Sequence, residues 1–178
     1  YQAGFANPFH ERQQTVSKSE DWSKKTYGAL SPQSTPQPTS SLYRPPYRYA
    51  WKDTEEIFAS MAEAPGDPYD GVLLHYADPL SGGSTLPTIN CEVQMFRPGE
   101  KGRSHRHTHS VVYHAFRGSG TTWVGDEKFN WQQGDSFVVP LWSWHAHENN
   151  SGEPAILFSI NDRPPIEALG FYREETKE

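Results

Sequence analysis

Residues 105–109 read HRHTH and residues 142–149 read WSWHAHEN, so five of the chain's eight histidines fall in two short clusters. A neutral imidazole binds transition metals, and near pH 7 it also exchanges protons. On an extended strand alternate side chains share a face, which sends His105 and His107 to one side and Ser104 and Arg106 to the other. His145 arrives from a later strand, after Pro140, which can end the strand before it, and a Trp142-Ser143-Trp144 turn. Three neutral imidazoles converging in this way match a transition-metal site in ligand type and number. Scattered histidines on an acidic surface carry no such meaning; here the spacing does.

Such a site needs short strands to carry it. From Gly71 to Asn161 the sequence breaks into β-type segments, GVLLHY, TINCEVQMF, SVVYHAF, TTWVG, KFNW, SFVVP and PAILFSI, separated by Gly, Pro, Asp and Asn. This predicts an antiparallel all-β domain closed into a sandwich or small barrel, followed by a short RPPIEALG helix and a charged tail. Upstream, Asp53 offers an N-cap with Glu56 three residues on, and Ile57, Phe58 and Met61 form an apolar stripe ended by Pro65-Gly66. A helix over roughly 54–63 is expected. Residues 1–50, rich in Gln, Ser, Thr and Pro, show no period and read as an extended arm, whose aromatic end YRPPYRYAW (43–51) is expected to be pinned to a surface. The resulting division is 1–50 arm, 51–70 short helix and connection, 71–163 barrel, and 164–178 C-terminal helix and tail.

The bulk numbers fit one core. Of 178 residues, 34% are hydrophobic and 21% charged, enough apolar material for a single globular domain and a tail. The 22 acidic and 16 basic residues give a formal charge of −6 with no Lys/Arg run, which argues against nucleic acid as a partner. Cys91 is the single cysteine, so no internal disulfide forms; it fits a reducing compartment and a small buried apolar position. No apolar stretch approaches the roughly 20 residues that span a bilayer, and no basic-then-apolar leader opens the sequence, so no membrane partner and a cytoplasmic location are expected. The sequence begins at Tyr1 with no initiator Met, as a processed, trimmed or partial chain would.

The full spacing is Gly99-x5-His105-x-His107-x10-Gly118, then Gly134-x5-Pro140-x4-His145-x3-Asn149. It resembles the two signature motifs of the cupin superfamily over residues 88–160, which implies a double-stranded β-helix, or jelly-roll, barrel. The usual cupin glutamate four residues after the second histidine is Val111 here, so the resemblance implies a three-histidine site. Without that carboxylate the ion keeps its full charge and favours a substrate bringing negative oxygens. Three facial ligands on a six-coordinate ion leave room for a bidentate substrate and dioxygen together. The wording SHRHTHSVVYHAFRGSG, GDSFVVPLWSWHAHEN and ILFSINDRPPIEALGFYREE is similar to gentisate 1,2-dioxygenase and the salicylate and 1-hydroxy-2-naphthoate dioxygenases, Fe(II) enzymes of bicupin architecture. The arm and the RPPIEALGFYREE ending look most like the C-terminal half of such a bicupin.

That resemblance implies His105, His107 and His145 as Fe(II) ligands, Gln94 as a catalytic pocket residue, and His147 as the histidine beside the third ligand; two residues from that ligand and on its face, His147 is the candidate acceptor of the phenolic proton. It implies as partners a small aromatic acid and O2, and either a homo-oligomer or another cupin domain to pack against. Where the family's catalytic half places an arginine, this chain has Tyr113, and Arg97 or Arg103 are the candidate replacements as a carboxylate clamp. The expected function is an Fe(II)-dependent ring-cleaving dioxygenase of a hydroxylated aromatic acid. Two alternatives stand beside it: a metal-binding, non-catalytic half of a bicupin, or a cupin enzyme using another divalent metal such as Mn, Ni or Zn. His109 shares the ligands' parity and belongs either to the pocket mouth or to a solvent-facing strand end, whereas His114 should face away. His10 and His75 have no evident partner, and Trp142 and Trp144 read as an aromatic wall for a flat substrate or as plain core.

Overall fold

The computed structural model describes residues 19–21 and 47–177; the arm expected over 1–50, and His10 with it, otherwise lies outside the described residues. Among the described residues ten strands form two five-stranded antiparallel sheets. One runs β1-β2-β9-β4-β7 and the other β10-β3-β8-β5-β6, with β1 Val72–His75, β2 Asn90–Phe96, β3 His105–His107, β4 Val111–Arg117, β5 Ser119–Val124, β6 Glu127–Gln132, β7 Ser136–Val139, β8 His145–Glu148, β9 Ala155–Asn161 and β10 Glu174–Thr176.

Period-two burial sets the inward faces. On β4, Val111, Tyr113 and Ala115 are buried while Val112 and Phe116 are exposed. They join Phe96, Trp131, Val139, Ala155 and Leu157 in the core between the sheets. Strand β2 is buried on both faces, because Glu92, Gln94 and Phe96 point inward while Val93 and Met95 lie with Phe58 in a second cluster.

Phe58 belongs to helix α1, Trp51–Ser60, which starts earlier than the sequence suggests. Ala50 is its N-cap and Asp53 sits in the first turn, its N–H bonded to the Ala50 carbonyl at 3.0 Å. The face laid on the sheet is Trp51, Thr54, Phe58 and Met61, and Ile57 from the expected stripe is 47% exposed. Trp51 recruits the earlier turn: its ring lies 4.3 Å from that of Phe116 and is therefore bound to the barrel. Burying rings of this size contributes about 2–3 kcal/mol each. Arg97 then holds the chain beyond the helix, donating to the carbonyls of Met61, Ala62 and Ala64.

The charged tail does not stay a tail. After helix α2, Arg163–Ala168, the chain returns as β10 and pairs with β3, with Glu174 opposite His107 and Thr176 opposite His105. All three β10 residues are exposed, so backbone pairing and not an apolar face makes this strand. Among the described residues no helix is long and apolar enough to cross a membrane.

Candidate metal centre

Strands β3 and β8 meet through the pair His105↔His145, which brings two imidazoles side by side, ring centroids 4.2 Å apart. His107, two residues along β3 on the same face, lies 4.8 Å from His145 and 5.6 Å from His105. One ligand atom from each of the three falls within 4.8 Å of the others, and all three rings are buried. No other group of three or more histidine, cysteine or acidic residues among the described residues is arranged to hold a metal.

The hydrogen bonds around these rings leave the expected vacancies. His107 Nδ1 pairs with the His109 carbonyl at 2.9 Å and His145 Nδ1 with the Ser143 carbonyl at 2.9 Å, which orients each ring. His145 Nε2 and His105 Nδ1 are buried with no partner among the described residues. Buried polar atoms are ordinarily satisfied, so the unpartnered Nε2 of His145, whose Nδ1 is already bonded, fits a divalent ion held by this cluster. Burial pushes the pKa of all three imidazoles down, that of His145 to about 2, and so keeps them in the neutral form a metal requires.

A cavity of about 60 Å³ opens over the cluster. Gln94 lines it, 2% exposed, with its Nε2 unpartnered among the described residues. His109 lines it as well, buried and stacked on His107 at 3.6 Å and 6°, so of its two readings the pocket is the one observed. His147 shares the inward face of β8 but does not line the cavity. It is wholly buried, its Nδ1 is 2.8 Å from Thr122 Oγ1, and Thr122 in turn accepts from Trp131 Nε1 at 2.9 Å. Its Nε2 has no partner among the described residues, and burial pushes its pKa to about 3.

Several expectations are corrected. Neither Arg97 nor Arg103 reaches the cavity: Arg97 is spent on the carbonyls after α1, and Arg103 bonds the Lys177 carbonyl beside Tyr69. Trp142 and Trp144 line nothing in the cavity, because Arg106 lies over both rings at 4.3 and 4.6 Å on the outer face of β3. His75 has a partner after all: Glu92, level with it on β2, is 2.9 Å away. His114 faces away as expected, its Nδ1 3.0 Å from Ser136 Oγ. Cys91 is half-buried and not core.

The sequence also left residues unmarked. Asp70, Leu73, Glu92, Tyr172, Glu174 and Arg163 all line the cavity. Asp70 stands 3.8 Å from His105 Nε2, and burial pushes its carboxyl up to about 7. These residues sit on a turn, on β1 and β2 and after β9, where no motif points. The one available signal is parity on β2, which puts Glu92 on the same face as Gln94.

The two facing antiparallel sheets enclose the imidazole cluster, and residues 92–161 match the family described as Cupin domain, a class whose barrel this arrangement fits. Within that class the chain resembles ring-cleaving dioxygenases of aromatic acids. It is 40% identical over 163 residues to the 5-aminosalicylate 1,2-dioxygenase of Comamonas sp, covering 89% of this chain and 42% of that protein. It is 32% identical over 176 residues to a gentisate 1,2-dioxygenase of Aquipseudomonas alcaligenes, covering 98% and 50%. A crystal structure of salicylate 1,2-dioxygenase from Pseudoaminobacter salicylatoxidans, in adducts with gentisate, superposes with TM-score 0.73 at 26% identity over 84% of this chain and 41% of that one. The chain thus spans about half the length of the curated relatives it matches.

Proposed function

We propose that this chain forms the metal-binding cupin of an Fe(II)-dependent dioxygenase that opens the ring of a hydroxylated aromatic carboxylic acid of the gentisate type. The observation that carries this reading is the set of three buried, neutral imidazoles whose ligand atoms lie within 4.8 Å of one another, two of them, His105 and His107, lining a cavity. The similarity to dioxygenases of gentisate and aminosalicylate supports it. His105, His107 and His145 hold the iron. When bound, iron supplies Lewis acidity and the redox link between an electron-rich ring and dioxygen.

The chain's own residues do the rest. Three protein ligands without a carboxylate favour an anionic chelating substrate. Gln94, with a buried Nε2 that has no partner, donates to a substrate oxygen in the cavity. His147, wholly buried beside the ligand His145 and outside the cavity lining, takes the phenolic proton by relay and not by direct contact, with Thr122 anchoring its Nδ1. For assembly, Val112 stands between Val138 and Ile160 on the outer sheet face, exposed by 48%, 53% and 41%. This strip would pack on another cupin domain or a second copy.

The test is anaerobic reconstitution with Fe(II), then aeration with gentisate, salicylate or 1-hydroxy-2-naphthoate, following dioxygen uptake and absorbance of the ring-opened keto acid. Turnover of at least one acid is expected. Full iron loading with no turnover of any of the three would reassign the chain as a non-catalytic, metal-binding cupin.

A further inference from the structure

Arg163 is the only arginine or lysine lining the cavity among the described residues. It opens helix α2, outside both histidine motifs, and its backbone N–H is 3.3 Å from Asn161 Oδ1. Asn161 is a buried barrel residue whose Nδ2 donates to Glu92 Oε2 at 2.9 Å, so the start of α2 is tied to the cavity wall. The Arg163 side chain is held at two points. Its Nε donates to Glu167 Oε1 at 2.8 Å, and its guanidinium lies 4.4 Å over the Tyr172 ring.

Tyr172 is stacked on His109 at 5.8 Å and 20°, and His109 on the ligand His107. A column of flat groups therefore lines the cavity from the guanidinium to the metal cluster. The two Nη groups, by contrast, have no hydrogen-bond partner among the described residues. A guanidinium fixed through Nε and a ring face while its Nη pair stays available is preorganised to take a carboxylate in two-pronged fashion.

Glu167 takes only the Nε, and two of the cavity carboxylates are engaged elsewhere. Glu92 is satisfied by Asn90 and Asn161 and ion-paired to His75, and Glu174 accepts from Tyr172. The cavity is also small. Its wall carries His105, His107 and Arg163 together, so an anionic group inside it lies between the imidazole end and the guanidinium.

We propose that Arg163 is the specificity-determining residue that reads the carboxylate of the aromatic acid, in place of the arginine that the family resemblance sets at Tyr113. The acid's polar end enters between the histidines and Arg163, and its ring lies at the mouth along Tyr172. This rests on the aromatic-acid reading of the site.

The experiment loads the full chain with redox-silent Zn(II) and measures binding of salicylate and of salicylamide, its uncharged isostere, by calorimetry. The wild-type chain should prefer salicylate on the order of ten- to a hundredfold, the range of a charge-assisted hydrogen bond. In R163Q that preference should fall about tenfold or more, to the part that the metal itself gives an anionic chelator, with zinc stoichiometry and melting temperature unchanged. In R163K, which keeps the charge but loses the planar fork, it should be intermediate. If R163Q does not fold, R163K alone decides, and a preference equal to wild type overturns the inference. A preference undiminished in folded R163Q likewise overturns it while the aromatic-acid reading stands. Wild-type protein that binds neither ligand overturns the aromatic-acid reading and this inference with it.

Discussion

Thr122 offers a sharp test of how the protein holds His147. Its hydroxyl is wholly buried on β5 and is the partner of both the Trp131 indole N–H, at 2.9 Å, and His147 Nδ1, at 2.8 Å. Thr122→Val keeps the shape and removes both bonds, leaving two buried nitrogens with nothing to bond. Each unsatisfied group costs about 1–3 kcal/mol, so the substitution should destabilise by about 2–6 kcal/mol. At about 3 °C per kcal/mol for a domain of this size, the melting temperature should fall on the order of 6–18 °C. Thr122→Ser keeps the hydroxyl and loses one methyl, at about 1 kcal/mol. Thermal unfolding by circular dichroism on metal-free protein compares the two directly. Metal stoichiometry should survive in Thr122→Val, because the ligand rings are oriented by the Ser143 and His109 carbonyls instead. If Thr122→Val unfolds no lower than Thr122→Ser, the paired-hydroxyl argument is refuted.

Other outcomes follow from the same geometry. His145→Ala should remove most bound metal, read by plasma mass spectrometry, while the far-ultraviolet spectrum stays that of the wild type, since the core between the sheets does not include the ion. His147→Ala should slow ring opening more than it weakens iron binding; an equal loss of both would contradict a role outside the ligand set. Metal-free stability should fall with acidification. The five clustered histidines have folded pKa values depressed by burial, so their contribution is fully present above the unfolded value of about 6.5 and is lost as pH falls towards the folded values. Asp70, raised to about 7, acts with the opposite sign, its contribution being lost as pH rises through that value, but it is one group against five. A urea midpoint higher at about pH 5.5 than at about pH 7.5 would refute this balance.

What the sequence disclosed was whatever obeys a period. The alternation of Val111, Tyr113 and Ala115 and the shared parity of His105 and His107 follow from strand geometry alone, and both are seen. What it hid depends on partners remote in the chain. Trp51 looked like the end of an arm because the Phe116 ring that recruits it into α1 lies far along the chain. His75 seemed partnerless because Glu92 reaches it only through the β1–β2 register. Arg163 and β10 carry no pattern at all: one is a single cation beside two prolines, the other an exposed strand with no apolar face to advertise it.

The place of β3 in its sheet has a consequence for how the protein is made. This three-residue strand carries two of the three ligands, touches β8 through a single residue pair, and has β10, with Glu174 opposite His107, as its fully paired neighbour. Bond partners such as Arg106 and Glu175 stand 69 residues apart. On a ribosome, β3 must therefore wait for almost all of the barrel to emerge before its edge is covered. Contacts of such long sequence separation form slowly. The metal pocket is thus among the last parts to close, so a metal ion is acquired by a finished barrel and is not a seed around which the barrel forms.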